Sequence, residues 1–75
     1  MTTTPTLEQL EYDHDQYVEC LHYAEDCLER HMRQHRCWQR SCGVRDGLRG
    51  EVRSLTHVVD AARARRNEAR RAAEA

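Results

Sequence analysis

Lysine, isoleucine and phenylalanine are absent from this chain of 75 residues, and it has only three glycines and one proline. The large aliphatic side chains are also few: six Leu, five Val and two Met. A chain with so little apolar material buries a small core, so it is marginally stable unless something adds to that core. We therefore expect one small domain that associates with another copy or binds a metal.

Long apolar runs are missing too, and none of the stretches present is long enough to cross a membrane. The N-terminal segment MTTTPTLEQ lacks the basic residues and the apolar core of a secretory signal. These absences predict a cytoplasmic protein, and thiols stay reduced in the cytoplasm. Free thiols or metal ligands are then favoured over disulfides for the four cysteines.

The basic side chains are twelve arginines. Arginine without lysine, together with abundant alanine, is typical of a GC-rich genome such as that of an actinobacterium or its phage. Coding bias therefore accounts for much of the arginine, and arginine content alone is weak evidence for a nucleic-acid partner.

Seam residues recur at alternating steps of three and four from Leu7 onward, which predicts one helix from residue 7 to about residue 40. Residues 1–6 are expected to be a frayed start. Thr6 followed by Gln9, or Thr4 followed by Pro5, supplies the N-cap signal. The predicted seam consists of Leu7, Leu10, His14, Tyr17, Leu21, Ala24, Leu28, His31, His35 and Trp38.

A second helix is predicted over residues 47–73, after a turn over residues 41–46. Gly43 is expected to end the first helix in the left-handed conformation, and Asp46 is a suitable N-cap for the second. The same spacing continues there, and its later turns are rich in alanine, which favours helix. Its seam consists of Leu48, Val52, Leu55, Val59, Ala62, Arg66, Ala69 and Ala73.

So short a connection makes the two helices antiparallel neighbours. Charge supports this, because residues 1–29 carry a charge of −8, residues 30–49 carry +5 and residues 50–75 carry +2. Folding about residue 44 places Tyr17 near Arg71, Leu21 near Asn67 and Trp38 against Gly50. Acidic side chains then face basic ones, namely Glu11, Asp13, Asp15 and Glu19 against Arg65, Arg66, Arg70 and Arg71.

The predicted fold class is all-α: an antiparallel, coiled-coil-like hairpin of two helices. Several apolar residues lie off the main seam, which indicates a second apolar contact. Two hairpins that dimerise into a four-helix bundle would bury it most economically. These off-seam residues are Tyr12, Val18, Tyr23, Met32 and Val58.

Histidines and cysteines cluster near the end of the first helix. His31 and His35 are one turn apart and, with Cys37 and Cys42, form a possible tetrahedral zinc set. An alternative set uses Cys27, His31 and His57. The spacing matches no standard zinc motif, and both histidines also fit a polar coiled-coil seam.

Disulfides within the chain are restricted by geometry. Cys20 and Cys27 lie two helical turns apart, which is beyond the reach of one bond, so buried or partly buried free thiols are expected there. Cys37 and Cys42 would close a small loop if the first helix ended early.

The turn end of the hairpin is rich in arginine. This Arg-rich tip is expected to contact an acidic protein surface or nucleic acid. A solvated face enriched in arginine by coding bias is the simpler interpretation. Its residues are Arg30, Arg33, Arg36, Arg40, Arg45, Arg49 and Arg53, with Trp38 nearby.

Motifs for catalysis are lacking: no glycine-rich phosphate loop or Ser–His–Asp arrangement occurs, and a single hairpin has no room for a deep pocket. The sequence therefore predicts a small adaptor, assembly or regulatory protein that is not an enzyme and binds a macromolecule through its tip. The alternatives are a zinc-stabilised regulator that binds nucleic acid, and a metal or thiol sensor that uses the cysteines and histidines.

Overall fold

The computed structural model describes residues 4–35 and 42–74 of the chain, and the side chain of His35 lies outside that description. Two α-helices follow each other: α1 spans Leu7–His35 and α2 spans Gly43–Glu74. They pack against each other as a hairpin, so the predicted all-helical hairpin is confirmed. The predicted extension of the first helix to residue 40 lies outside the described residues.

The start of α1 is fixed by a capping box at Thr6 and Gln9. The backbone amide of Gln9 donates to Thr6 Oγ1 at 3.2 Å, and the backbone amide of Thr6 donates to Gln9 Oε1 at 3.1 Å. The amide of Leu10 closes the first turn on the carbonyl of Thr6 at 3.0 Å. Two backbone donors that the helix leaves without intrahelical partners are thus satisfied by side chains, as the Thr6–Gln9 spacing predicts.

The start of α2 differs from the prediction. The helix begins at Gly43, and Gly43 does not adopt the left-handed conformation. Asp46 is not the N-cap: it lies in the first turn, where its amide donates to the carbonyl of Cys42 at 2.9 Å. A carboxylate in that turn is favourable, because it lies close to the positive end of the helix dipole.

The register between the helices also differs from the prediction. Arg70 donates to Glu11 Oε1 at 2.9 Å from Nη2, so members of the acidic and basic sets do meet across the helices, but in a different alignment. Arg71 therefore lies level with the start of α1, about one heptad or ~10 Å from Tyr17. The pairing of Tyr17 with Arg71 is wrong because folding about residue 44 assumed a second helix starting later than Gly43.

The pairing of Leu21 with Asn67 fails for the same reason. The neighbour of Asn67, Arg66, reaches the ring of His14, which is again one heptad before Leu21 along α1. The whole predicted alignment is therefore displaced along the helix axis by roughly two turns. The faces that meet are nonetheless the predicted ones.

The buried centre of the hairpin is small. Within the described residues the buried apolar side chains are Ala24, Val59 and Ala62, and no side chain is fully buried. Most other seam residues are half-buried. The seam is as predicted for most of the described residues, except that Tyr17 and Ala73 are exposed, and it leaves much of its leucine surface in contact with water. The half-buried seam residues are Leu7, Leu10, Leu21, Leu28, His31, Leu48, Val52, Leu55, Arg66 and Ala69.

Several large apolar side chains point away from the seam. Tyr23 is 74% exposed and Tyr12 is 64% exposed, and Val58 is also exposed. Val18 and Met32 are half-buried. Neither described helix contains a stretch apolar enough, over sufficient length, to span a lipid bilayer.

We predict that Gly50→Ala raises the free energy of unfolding by about 0.5–1 kcal/mol, because alanine forms helix more readily than glycine. A Cβ built at Gly50 meets nothing within 4 Å in the described part of the chain. Chemical denaturation followed by circular dichroism measures the change.

Gly47→Ala is the matched control, since a Cβ there also meets nothing within 4 Å. Trp38 lies outside the described residues. A loss of stability in Gly50→Ala alone, with Gly47→Ala still stabilising, would contradict the prediction and show that a Cβ at Gly50 meets a close neighbour.

Candidate functional site

The predicted Arg-rich tip is described in part. Arg30 and Arg33 lie near the end of α1 and share one face of it, because they are three residues apart. Arg49 and Arg53 lie four residues apart on one face of α2. The remaining predicted members Arg36, Trp38 and Arg40 lie outside the described residues.

The described arginines of the tip differ in what they present to solvent. Arg30, Arg49 and Arg53 are exposed. The side chain of Arg45 is only 11% exposed, and its Nε donates to Asp46 Oδ1 at 3.2 Å. Arg45 therefore presents less of its charge to solvent than Arg30, Arg49 and Arg53 do, and its role as a contact residue stays a prediction.

On α1 the cations of the tip are mixed with carboxylates. Arg33 pairs with Glu29 one turn earlier, and both side chains are largely exposed. Asp26 and Glu29 line a shallow pocket together with Arg30, Arg33 and Gln34. The α1 side of the tip is thus of mixed sign, and the α2 side has the more cationic face.

Cys42 and His31 are brought together where the two helices meet at the tip. Cys42 Sγ lies 3.4 Å from His31 Nε2. Cys42 is in a disulfide bond, whereas Cys20 and Cys27 carry free thiols. The bond at Cys42 departs from the expectation that free thiols or metal ligands are favoured. Cys37 lies outside the described residues.

The structure describes two of the four predicted zinc ligands in full, His31 and Cys42, and these two are neighbours. A sulfur in a disulfide carries no thiolate charge, so Cys42 cannot bind zinc in this state. Cys37 and the side chain of His35 lie outside the described part of the chain.

The alternative zinc set is not assembled. Within residues 4–34 and 42–74, no three His, Cys, Asp or Glu side chains converge in a way that could hold a metal ion. Cys27, His31 and His57 are all among these residues, and His57 is exposed. The observed register explains this result. Residue 57 lies opposite residue 31 only if the chain folds about residue 44, and the observed alignment is displaced from that one by roughly two turns.

A second polar cluster, centred on His14, lies near the open end of the hairpin. His14 is 7% exposed and occupies a seam position of α1. Arg63 Nε donates to His14 Nε2 at 3.4 Å, and Asp15 Oδ1 lies 3.1 Å from His14 Nδ1. Arg66 Nη1 lies 3.2 Å from the same Nδ1. Sequence reasoning placed His14 on the seam but did not identify this cluster.

The contacts of His14 favour one tautomer of the neutral ring. A neutral imidazole has one N–H and one acceptor nitrogen. With the proton on Nδ1, the ring donates to Asp15 and accepts from Arg63, which satisfies both nitrogens. Arg66 is held separately, because its Nε and Nη2 donate to Asn67 Oδ1 at 3.4 and 3.2 Å. No buried side-chain nitrogen or oxygen among the described residues lacks a hydrogen-bond partner.

The His14 cluster has a structural role in the seam and does not form a site for chemistry or ligand binding. His14 is only 7% exposed and its ring is contacted by Arg63 and Arg66 of α2, so little of it is open to a ligand. A polar residue in a coiled-coil seam commonly specifies register at a cost in stability. The cluster therefore provides a physical reason for the observed register of α1 against α2.

Comparison with protein-family models finds no match to this chain, and comparisons with curated proteins and with solved structures find none either. Function is therefore inferred from the residues and their geometry.

We predict that His14→Leu raises the free energy of unfolding by about 1 kcal/mol, because a leucine packs the seam without leaving polar atoms to satisfy. His22→Leu is the matched control: His22 is exposed on the same helix, so its change should stay within about 0.5 kcal/mol. Urea denaturation measures both. A clear loss of stability in His14→Leu would instead show that the contacts with Arg63 and Asp15 outweigh apolar packing.

We also predict the pattern of thiol reactivity. Iodoacetamide added to the folded chain without reductant should modify Cys20, which is exposed, faster than the half-buried Cys27. It should leave Cys42 unmodified, because a disulfide has no nucleophilic thiolate. Peptide mass spectrometry gives the rates, and prior reduction is the control that makes Cys42 reactive. Rapid modification of Cys42 without reductant would contradict the structure.

Proposed function

We propose that this protein is a small adaptor, assembly or regulatory component, not an enzyme, that dimerises into a four-helix bundle and binds an acidic protein surface through its Arg-rich tip. The composition suits a GC-rich bacterium or its phage. The observation that carries the proposal is the exposure of Arg30, Arg49 and Arg53 at the tip, within a stretch, residues 30–49, that carries a charge of +5.

The distribution of charge supports a binding role for the tip. Residues 1–29 carry eight acidic side chains and no arginine. Near the open end, Glu11 and Asp15 face arginines of α2 directly or through His14. Acids and arginines thus partly offset each other at that end, where Arg65 and Arg71 are also exposed, and the part of the sequence with the largest net positive charge is residues 30–49, which carry +5.

Dimerisation is supported by the small size of the buried centre. Two alanines and one valine are the buried apolar residues of the described hairpin, and most of the leucines remain half-exposed. Chains of this length usually need an additional source of stability. A second hairpin would supply it by covering apolar surface that one hairpin leaves in water.

A protein partner is favoured over nucleic acid by the mixed sign of the α1 side of the tip. Asp26 and Glu29 lie beside Arg30 and Arg33, and carboxylates repel a phosphate backbone. A small acidic protein surface can be bound by Arg49 and Arg53 alone. Neither of these arginines forms an ion pair with another described residue.

A second candidate function, a thiol sensor, is favoured by the contact between Cys42 and His31. Reduction of the disulfide would give Cys42 a thiol beside the imidazole of His31. The thiolate form of Cys42 would then have a hydrogen-bond donor or a positive charge close to it. Zinc binding by His31, His35, Cys37 and Cys42 would require the reduced state of Cys42. Zinc analysis of the chain before and after reduction, by elemental analysis of untagged protein, distinguishes the two states.

We predict that Arg49→Glu weakens binding to an acidic probe by about threefold to tenfold, because it replaces an attractive charge at the contact with a repulsive one. The probe is a fluorescein-labelled poly-glutamate peptide, measured by anisotropy at low and at raised salt. Arg71→Glu is the matched control: it makes the same change of charge at an exposed position near the open end.

Equal effects of the two substitutions would contradict a role for the tip, since they would show attraction to net charge alone. Generic duplex DNA serves as the second probe. If DNA binds more tightly than the peptide, with a strong salt dependence and sensitivity to Arg49→Glu, the protein-partner proposal fails in favour of nucleic acid.

A further inference from the structure

α2 carries a second row of residues at heptad spacing, distinct from the seam that packs on α1. Its first four members lie four residues before seam positions, so the row runs beside the seam along the helix surface. Every one of them is exposed, and Val44 and Val58 are 60% and 37% exposed although both are apolar. The row consists of Val44, Glu51, Val58, Arg65 and Ala72.

Two positions beside the centre of the row carry small side chains. Ser54 and Ala61 lie on the same flank, one turn before Val58 and Arg65, and both are exposed. The distance between two packed helices depends on the side chains at the contact. Small residues beside Val58 therefore allow another helix to approach the centre of the row closely.

The row is complementary to itself. Glu51 lies seven residues before Val58 and Arg65 lies seven residues after it. In an antiparallel pair of α2 helices related by a two-fold axis at Val58, each Glu51 meets an Arg65 and each Val44 meets an Ala72. A parallel pair would set Glu51 against Glu51 and Arg65 against Arg65, which is unfavourable.

Other antiparallel registers lose this match. A slip of one heptad in either direction places a charged member of the row opposite an apolar one, with Glu51 or Arg65 facing Val58. An unpaired charge against an apolar side chain loses hydration without gaining a partner. The sequence of the row thus selects the register centred on Val58.

α1 contributes to the same flank. Glu19, Cys20 and Tyr23 line a shallow groove together with Glu51 and Leu55 of α2. The lining is more apolar than polar in its exposed area, and the ring of Tyr23 is mostly exposed. A helix that packs on the row would also cover this groove and bury part of the half-exposed Leu55.

We infer that the row on α2 is the contact surface for a second copy of this chain, with the two α2 helices antiparallel and Val58 on the two-fold axis. Glu51 of each protomer pairs with Arg65 of the other. This inference rests on the dimeric bundle of the proposed function and specifies the face, the direction and the register of the contact.

Charge reversal tests the pairing. Glu51→Arg places two arginines at each of two symmetry-related contacts, and Arg65→Glu places two carboxylates there. Each single variant should weaken the dimer at least about tenfold, and the double variant Glu51→Arg with Arg65→Glu should restore it to within about threefold of the original. Sedimentation equilibrium over a range of protein concentrations gives the dissociation constants.

Asp60→Arg is the matched control. Asp60 is an exposed carboxylate two residues after Val58, so it points away from the row by about 200° around the helix. The dimer dissociation constant should change less than about twofold, allowing for weak long-range charge effects. Circular dichroism of every variant confirms that the helices are retained.

The outcomes separate this inference from the proposed bundle. A dimer that neither single reversal weakens would use another face, which overturns the inference and leaves the bundle standing. Single variants that weaken the dimer without rescue in the double variant overturn the Val58-centred register. A chain that stays monomeric at all concentrations overturns both.

Discussion

The close approach of α1 and α2 around Ala24, Val59 and Ala62 is the contact on which the rest of this molecule depends. Small side chains at this level let the two backbones come near each other, but they also remove little apolar surface from water. The leucines above and below remain half-buried. The hairpin is therefore held by a narrow strip of packing, and its remaining surfaces keep apolar area available for other contacts.

Polar contacts decide how the two helices align along that strip. A heptad seam presents nearly the same apolar pattern after a slip of seven residues, so packing alone distinguishes poorly between such alignments. His14 helps to distinguish them, because its ring contacts Arg63 and Arg66 of α2, whereas Asp15 is its neighbour on α1 in every alignment. The ion pair between Glu11 and Arg70 adds a weaker preference, since both side chains are about half-exposed.

The sequence predicted those features that depend on local spacing. The seam, the antiparallel hairpin and the capping box at Thr6 and Gln9 all follow from residues a few positions apart. The register between the helices cannot be predicted in this way, because a heptad pattern repeats every seven residues. The prediction also starts the second helix at residue 47, whereas α2 starts at Gly43. An alignment error of one heptad then displaced Tyr17 from Arg71 and residue 31 from residue 57.

The candidate site was predicted in composition but not in arrangement. The clustering of arginines at the tip is visible in the sequence, whereas the low exposure of Arg45 and its contact with Asp46 depend on side-chain conformation. Likewise the sequence predicts that Cys42 and His31 lie close together, as members of a zinc ligand set, but it does not predict the disulfide at Cys42. Spacing identifies which residues meet, and it does not determine their chemical state.

The separation of charge along the hairpin has an effect before any contact forms. The chain extends over 53 Å in its longest direction, and its charge is uneven, because residues 30–49 on either side of the turn carry +5 whereas residues 1–29 carry −8 and residues 50–75 carry +2. Such a molecule has a lengthwise electric dipole moment, and the field of an acidic partner exerts a torque on it. The hairpin would thus rotate to arrive turn-first, so that orientation during diffusion is biased at low ionic strength and randomised once salt screens the field.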